Sequence, residues 1–129
     1  MKPTILEVKN LVEEIYPEVV QFRRKIHQNP ELSNKEFATT EFIISILKEN
    51  NIEYKQITET GVVGIIGNGD NCIALRADID ALPIKEETNL PFASQNQGIM
   101  HACGHDLHGY HGGEWDPLLL RGHSRERSR

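Results

Sequence analysis

The chain is short of cysteine and of positive charge, and it holds no long hydrophobic run. Its two cysteines, Cys72 and Cys103, lie 31 positions apart in unrelated contexts. They make no disulfide framework and suit a reducing, cytoplasmic setting. The formal net charge is −5, with no basic stripe over most of the chain, which argues against a nucleic-acid partner. No apolar stretch approaches the ~20 residues that cross a bilayer, so no membrane partner is expected. The N-terminus, MKPTILEVKN, has acidic and amide residues where a signal peptide would be apolar.

A second set of absences is local. Residues 1–108 contain 7 Lys, 14 Ile and 9 Asn, whereas residues 109–129 contain none of these and no Val. At the upstream frequency about six residues of the three types would be expected there. The tail GYHGGEWDPLLLRGHSRERSR instead carries four Arg, four Gly and the only Trp. Two readings stand: an ordinary polar terminus, or a frameshifted or misjoined end.

What is present is one domain's worth of globular chain: 129 residues, 38% hydrophobic and 26% charged. A domain of that size buries roughly two thirds of its unfolded surface. Thr4-Ile5-Leu6-Glu7 has the form of a capping box. Beyond it Ile5, Val8, Val12, Ile15, Val19, Phe22 and Ile26 recur at helical spacing. Pro17 interrupts the stripe, which predicts two helices or one kinked helix. Ser33-Asn34-Lys35-Glu36 predicts a second capping box, opening a helix that ends at Asn50-Asn51. IEYKQIT, GVVGIIG and CIALRADI read as strands, with Asn68-Gly69 as the hairpin turn between the last two. Their apolar character implies a sheet covered on both faces. Residues 81–100 read as loop.

Chemistry concentrates in MHACGHDLH, residues 100–108. Cys103 and His105 are spaced so that both side chains of an extended segment point to one side. A thiolate and an imidazole are good ligands for a borderline ion such as Zn²⁺. His101 and His108 flank them, and Asp106 is placed to orient an imidazole. Two ligands cannot fill a tetrahedral shell, so a C-x-H pair alone is more often a polar loop with a free thiol. A Cys103 nucleophile with His105 or His101 as base has poorer geometry. Asp78 and Asp80 end an apolar strand on one side, where they face a cleft or simply mark the strand's exit. Arg76 needs a partner if buried, and one of these aspartates is the candidate. His27, at the end of a helix, reads as a cation on the helix dipole.

Three stretches together go further. RRKIHQNPELSNKEFATTEFI, GVVGIIG and ALRADIDALPIKEETNLPFASQNQGIMHACGHDLH resemble the N-terminal part of metal-dependent amidohydrolases. These are the relatives of hippurate hydrolase, N-acyl-amino-acid amidohydrolase, N-acetyldiaminopimelate deacetylase and the auxin-conjugate hydrolases. The resemblance runs over about residues 10–108. It implies an α/β fold: N-terminal helices followed by strands of a mixed sheet, part of a two-domain catalytic unit with an inserted lid. Residues 1–108 would be the N-terminal part of the catalytic domain, and residues 109–129 a non-matching, frameshifted or disordered tail.

The resemblance also implies two divalent ions (Mn²⁺, Zn²⁺, Ni²⁺ or Co²⁺) and a small N-acyl amino-acid substrate. Cys103 and His105 match metal ligands, with Cys103 bridging, and Asp78 matches a residue that orients a ligand histidine. His101, Asp106 and His108 would stand behind the ligands. The family's general base, a glutamate, and its remaining ligands come later than His108, and Glu114 lies too close to Cys103 and His105 to be that base. The chain is then expected to be an inactive fragment, prone to associate with itself or aggregate through uncovered apolar surface. The alternative is a small metal- or partner-binding module, completed by His111 and His123.

Overall fold

A computed structural model describes residues 4–69 and 72–113. Three helices, α1 (Ile5–Gln28), α2 (Phe37–Glu49) and α3 (His105–Gly113), surround a hairpin of two strands, β1 (Glu53–Thr58) and β2 (Gly61–Ile65). Helices followed by strands is the α/β order expected.

The first capping box forms as the sequence predicts. The Thr4 hydroxyl accepts the Glu7 N–H at 3.3 Å, and the Glu7 carboxylate accepts the Thr4 N–H at 2.7 Å. Of the two outcomes predicted at Pro17, the two-helix one does not occur: α1 runs through it as one helix. A proline removes one backbone donor; Ile15 before it and Val19, Phe22 and Ile26 after it pack on the core and sustain the helix across that loss, while Ile5, Val8 and Val12 stay exposed.

The second capping box does not form. Glu36 is the N-cap of α2 and makes no side-chain cap bond. Glu31 caps instead, its carboxylate accepting the Ala38 and Thr39 N–H groups at 3.0 and 2.8 Å and the Thr39 hydroxyl at 2.8 Å. Asn34, at φ +61°, turns the intervening chain so that Glu31 reaches the helix start. A full negative charge there satisfies two free donors and complements the dipole at once. The helix ends where expected, with the Asn50 N–H on the Ile46 carbonyl and Asn51 in the left-handed region at φ +55°.

The hairpin sits one turn earlier than predicted. β1 pairs antiparallel with β2 from Glu53↔Ile65 to Thr58↔Gly61, with an irregularity between Gln56 and Thr58. Glu59-Thr60 is its connection. The described part of CIALRADI forms no ladder with β2. The short Glu59-Thr60 link gives β1 first claim on one edge of β2. The expected turn residues, Asn68 and Gly69, lie in irregular backbone after β2, and Asp70 and Asn71 beyond them lie outside the described residues. Nor is the hairpin covered on both faces: Val63 and Ile66 are exposed, and Ile73 is 90% exposed.

The core lies between α1, α2, α3 and the hairpin. Phe22, Ile26, Ile43, Ile46, Leu47 and Tyr110 form its buried centre. The Phe22 ring stacks on Phe42 at 5.4 Å and meets Tyr110 edge-on at 5.6 Å. At Gly64 a Cβ would come within 3.2 Å of a Leu47 methyl, so glycine lets β2 lie directly on α2. Residues 81–100 are irregular, as expected, but pinned. Ala81 bridges to Leu32, and Leu82 exchanges both backbone bonds with Met100 at 2.9 and 3.0 Å. These two bridges carry Asp80 to the start of α3. Among the described residues no helix is long and apolar enough to cross a membrane.

Candidate metal centre

The start of α3 carries the predicted pair. Gly104 stands at φ +85°, a conformation costly for any residue with a Cβ. Its carbonyl accepts the Leu107 and His108 N–H groups at 3.0 and 3.2 Å, so the helix begins directly behind Cys103. Cys103 is exposed and free. His105 Nδ1 lies 2.8 Å from Asp80 Oδ1 and 3.1 Å from the Asp80 carbonyl oxygen. Both partners are acceptors, so Nδ1 carries the hydrogen and donates. His105 Nε2 is then the nitrogen with the lone pair. The His108 ring lies 5.3 Å from that of His105, one helical turn on.

The carboxylate bound to a histidine here is that of Asp80. Asp78 accepts Arg76 Nε and Nη2 at 3.1 and 2.8 Å. That Arg76 bond, with the charge of the guanidinium behind it, holds the Asp78 carboxyl below its usual range. Arg76 thus has its predicted partner, though the guanidinium is solvent-exposed and the pair is worth little in stability.

Behind this face is a buried charge cluster. Asp106, 1% exposed, accepts Arg23 Nε at 3.1 Å and lies 2.8 Å from His27 Nδ1. His27 Nε2 lies 3.0 Å from Glu86 Oε1. Glu86 also accepts the Thr88 hydroxyl and, at 2.6 Å, the Ser94 N–H. Burial alone would raise Glu86, but the Thr88, His27 and Ser94 hydrogen bonds outweigh it and bring its carboxyl down to about 2. Burial likewise pulls His27 down, and its bonds to Glu86 and Asp106 more than reverse this, so its pKa is raised. Only an imidazolium donates through both nitrogens. Two carboxylates and two cations then balance.

His27 is therefore more than a helix-end cation, and its role was missed along with those of Arg23 and Glu86. No local signal marks them, since the contacts span 59 to 83 residues of sequence. His101 is buried as well, with its ring 6.4 Å from that of His27. Neither of its nitrogens has a hydrogen-bond partner among the described residues, and burial holds its pKa down. His123 lies outside the described residues.

Among the described residues no three His, Cys, Asp or Glu side chains converge on a point that could hold an ion. Cys103 and His105 nevertheless fit a share of such a site. The thiol is accessible, and the Asp80 bond reserves His105 Nε2 as a ligand atom, the arrangement that orients metal-binding imidazoles.

Residues 74–112 match the family model described as Peptidase family M20/M25/M40. A probable hydrolase of Synechocystis sp. is 45% identical over 107 residues, covering 80% of this chain and 27% of that protein. An uncharacterized hydrolase of Staphylococcus aureus strain USA300 is 54% identical over 91 residues, covering 70% and 24%. The chain spans about a quarter of the length of these curated relatives. Among solved structures, the YXEP protein of Bacillus subtilis, described as a dinuclear metal binding peptidase from the M20 family, superposes with a TM-score of 0.70 at 48% identity. That match covers 75% of this chain and 28% of that one. A methicillin-resistant Staphylococcus aureus protein of suggested aminohydrolase function superposes with a TM-score of 0.75 at 37% identity, covering 92% and 31%. In sequence and in fold alike, the similarity is to M20 hydrolases.

Proposed function

We propose that this chain is the N-terminal portion of an M20 metallohydrolase that cleaves the amide bond of N-acyl amino acids in the cytoplasm. Cys103 and His105 are its share of a two-ion site. One observation carries the reading: Asp80 occupies His105 Nδ1, which leaves Nε2 available two residues along the chain from an exposed thiol. Divalent ions held there (manganese, zinc, nickel or cobalt) would supply a water of lowered pKa and a polarised scissile carbonyl.

The chain's own residues prepare that site. Asp80 fixes the tautomer of His105. Arg23 and His27 hold Asp106, and through it the first turn of α3. The carboxylates at this face are engaged, Asp78 by Arg76 and Asp80 by His105, so neither serves as general base. Residues 1–129 alone are therefore expected to bind a divalent ion without turning over substrate.

Titration with Co²⁺ tests the ligand set through its thiolate charge-transfer absorption. The band should appear with the natural chain and with Cys72→Ser, and vanish with Cys103→Ser. A band that survives Cys103→Ser would remove the proposed ligand. Assay against hippurate and N-acetyl amino acids with Mn²⁺ or Zn²⁺ should give background rates, and robust metal-dependent turnover would overturn the claim of inactivity.

A further inference from the structure

β2 runs out into an exposed, irregular stretch, residues 66–69. Gly67 stands there at φ +78°, and a Cβ added to it would meet nothing within 4 Å. Asn68 and Gly69 follow, the one asparagine–glycine pair in the chain. Among the described residues, neither the Asn68 side-chain amide nor the Gly69 N–H makes a hydrogen bond.

A free asparagine amide beside a free backbone nitrogen sets up a reaction. The Gly69 nitrogen can close a five-membered ring on Asn68 Cγ, a turn of the side chain that a following Cβ opposes and glycine does not. Attack forms the bond from Gly69 N to Asn68 Cγ and breaks the Cγ–Nδ2 bond. The proton of the Gly69 nitrogen leaves with the amide as ammonia, and a cyclic imide remains. Water then opens the imide. Cleavage at Cγ gives aspartate, and cleavage at the backbone carbonyl gives isoaspartate, whose main chain runs through Cβ and Cγ.

The other described asparagines show what blocks this step. Asn29 precedes Pro30, which has no N–H to attack with. After Asn34, Asn50 and Asn51 the next N–H is already bound, Lys35 to the Leu32 carbonyl at 2.9 Å, Asn51 to Lys48 at 3.0 Å and Ile52 to Leu47 at 2.8 Å. The Leu90 N–H behind Asn89 bonds the Thr88 hydroxyl at 3.4 Å. Asn10 lies inside α1, where the helix binds the N–H of Leu11. Asn96 is held by its amide instead, which donates to the Pro30 carbonyl at 2.8 Å.

We propose that Asn68 is a site of spontaneous deamidation to isoaspartate, and that the fold shields the other described asparagines. The product adds one negative charge to a chain already at −5. It also adds one main-chain atom to the link between β2 and the segment that carries Asp78 and Asp80.

The test incubates the whole 129-residue chain in warm, mildly alkaline buffer, both folded and in urea, and follows each asparagine by peptide mass spectrometry. Isoaspartate is counted with an isoaspartyl O-methyltransferase and labelled S-adenosylmethionine. In the folded chain, conversion at Asn68 should proceed at within about threefold of its rate in urea, since no hydrogen-bonded structure must open first. Asn34, Asn50, Asn51 and Asn96 should each convert more slowly folded than in urea. Gly69→Ala should slow the reaction at Asn68 roughly tenfold, and Asn68→Gln should abolish it. A folded rate at Asn68 more than about tenfold below the urea rate would overturn the proposal, because the stretch would then be protected. Earlier conversion at Asn34, Asn50, Asn51 or Asn96 would overturn it too, as would a product at Asn68 that accepts no methyl group.

Discussion

At the scale of single residues, His27 is the most informative side chain. It lies between two buried carboxylates and donates to both only while it is charged. Its folded pKa is raised. Its contribution to stability is therefore complete below the ordinary histidine value of about 6.5 and is lost as pH rises through the higher folded value. Glu86 behaves oppositely: its depressed pKa gives stability that is full above about 4.5 and lost only as pH falls toward about 2. Urea unfolding at several pH values should show the advantage of the natural chain over His27→Gln shrinking from pH 6 upward. A constant difference would place the imidazolium elsewhere. His27→Ala, which removes a charged donor from each of two buried carboxylates, should cost about 3 kcal/mol near pH 6. Asp80→Asn leaves His105 in place but no longer fixes its tautomer, and should weaken Co²⁺ binding roughly 10- to 100-fold by isothermal titration.

At the scale of elements, the cap of α2 separates two explanations of the same helix. If Glu31 is the cap, Glu31→Ala should cost about 1–2 kcal/mol in chemical denaturation, and Ser33→Ala close to nothing. The reverse order would restore the capping box that the sequence suggested. The contrast with α1 shows what was legible. Thr4 and Glu7 lie on one helical turn and bond each other, so a four-residue pattern sufficed. Glu31 reaches α2 only because Asn34 adopts a positive φ, which no spacing rule encodes. The hairpin was misplaced for a related reason. Asn68-Gly69 is a strong turn signal, yet the ladder formed through Glu59-Thr60, whose residues announce no turn. In the site, Cys103 and His105 were visible as neighbours in sequence. The Asp80 bond was not, because it depends on the two bridges at Ala81 and Leu82 that bring residue 80 to α3.

At the scale of the whole molecule, stability rests on one small core shared by three helices and a hairpin. Leu47 is 1% exposed at its centre and touches the glycine face of β2. Leu47→Ala should cost about 2–5 kcal/mol in urea titration, near the limit of what a domain of this size tolerates. A cost below 1 kcal/mol would mean that the hairpin does not seat on α2. The same core sets the aim of the candidate centre. Consecutive residues of a helix diverge by roughly 100°, so His105 and its neighbour Asp106 look in different directions from one turn. Asp106 is gripped from within by Arg23 and His27, while His105 looks outward. α3 therefore behaves as a keyed shaft. To swing the imidazole off target it must roll, and rolling pulls the Asp106 carboxylate off the two cations that hold it. Pointing accuracy at the surface is thus guaranteed by charge held in the interior.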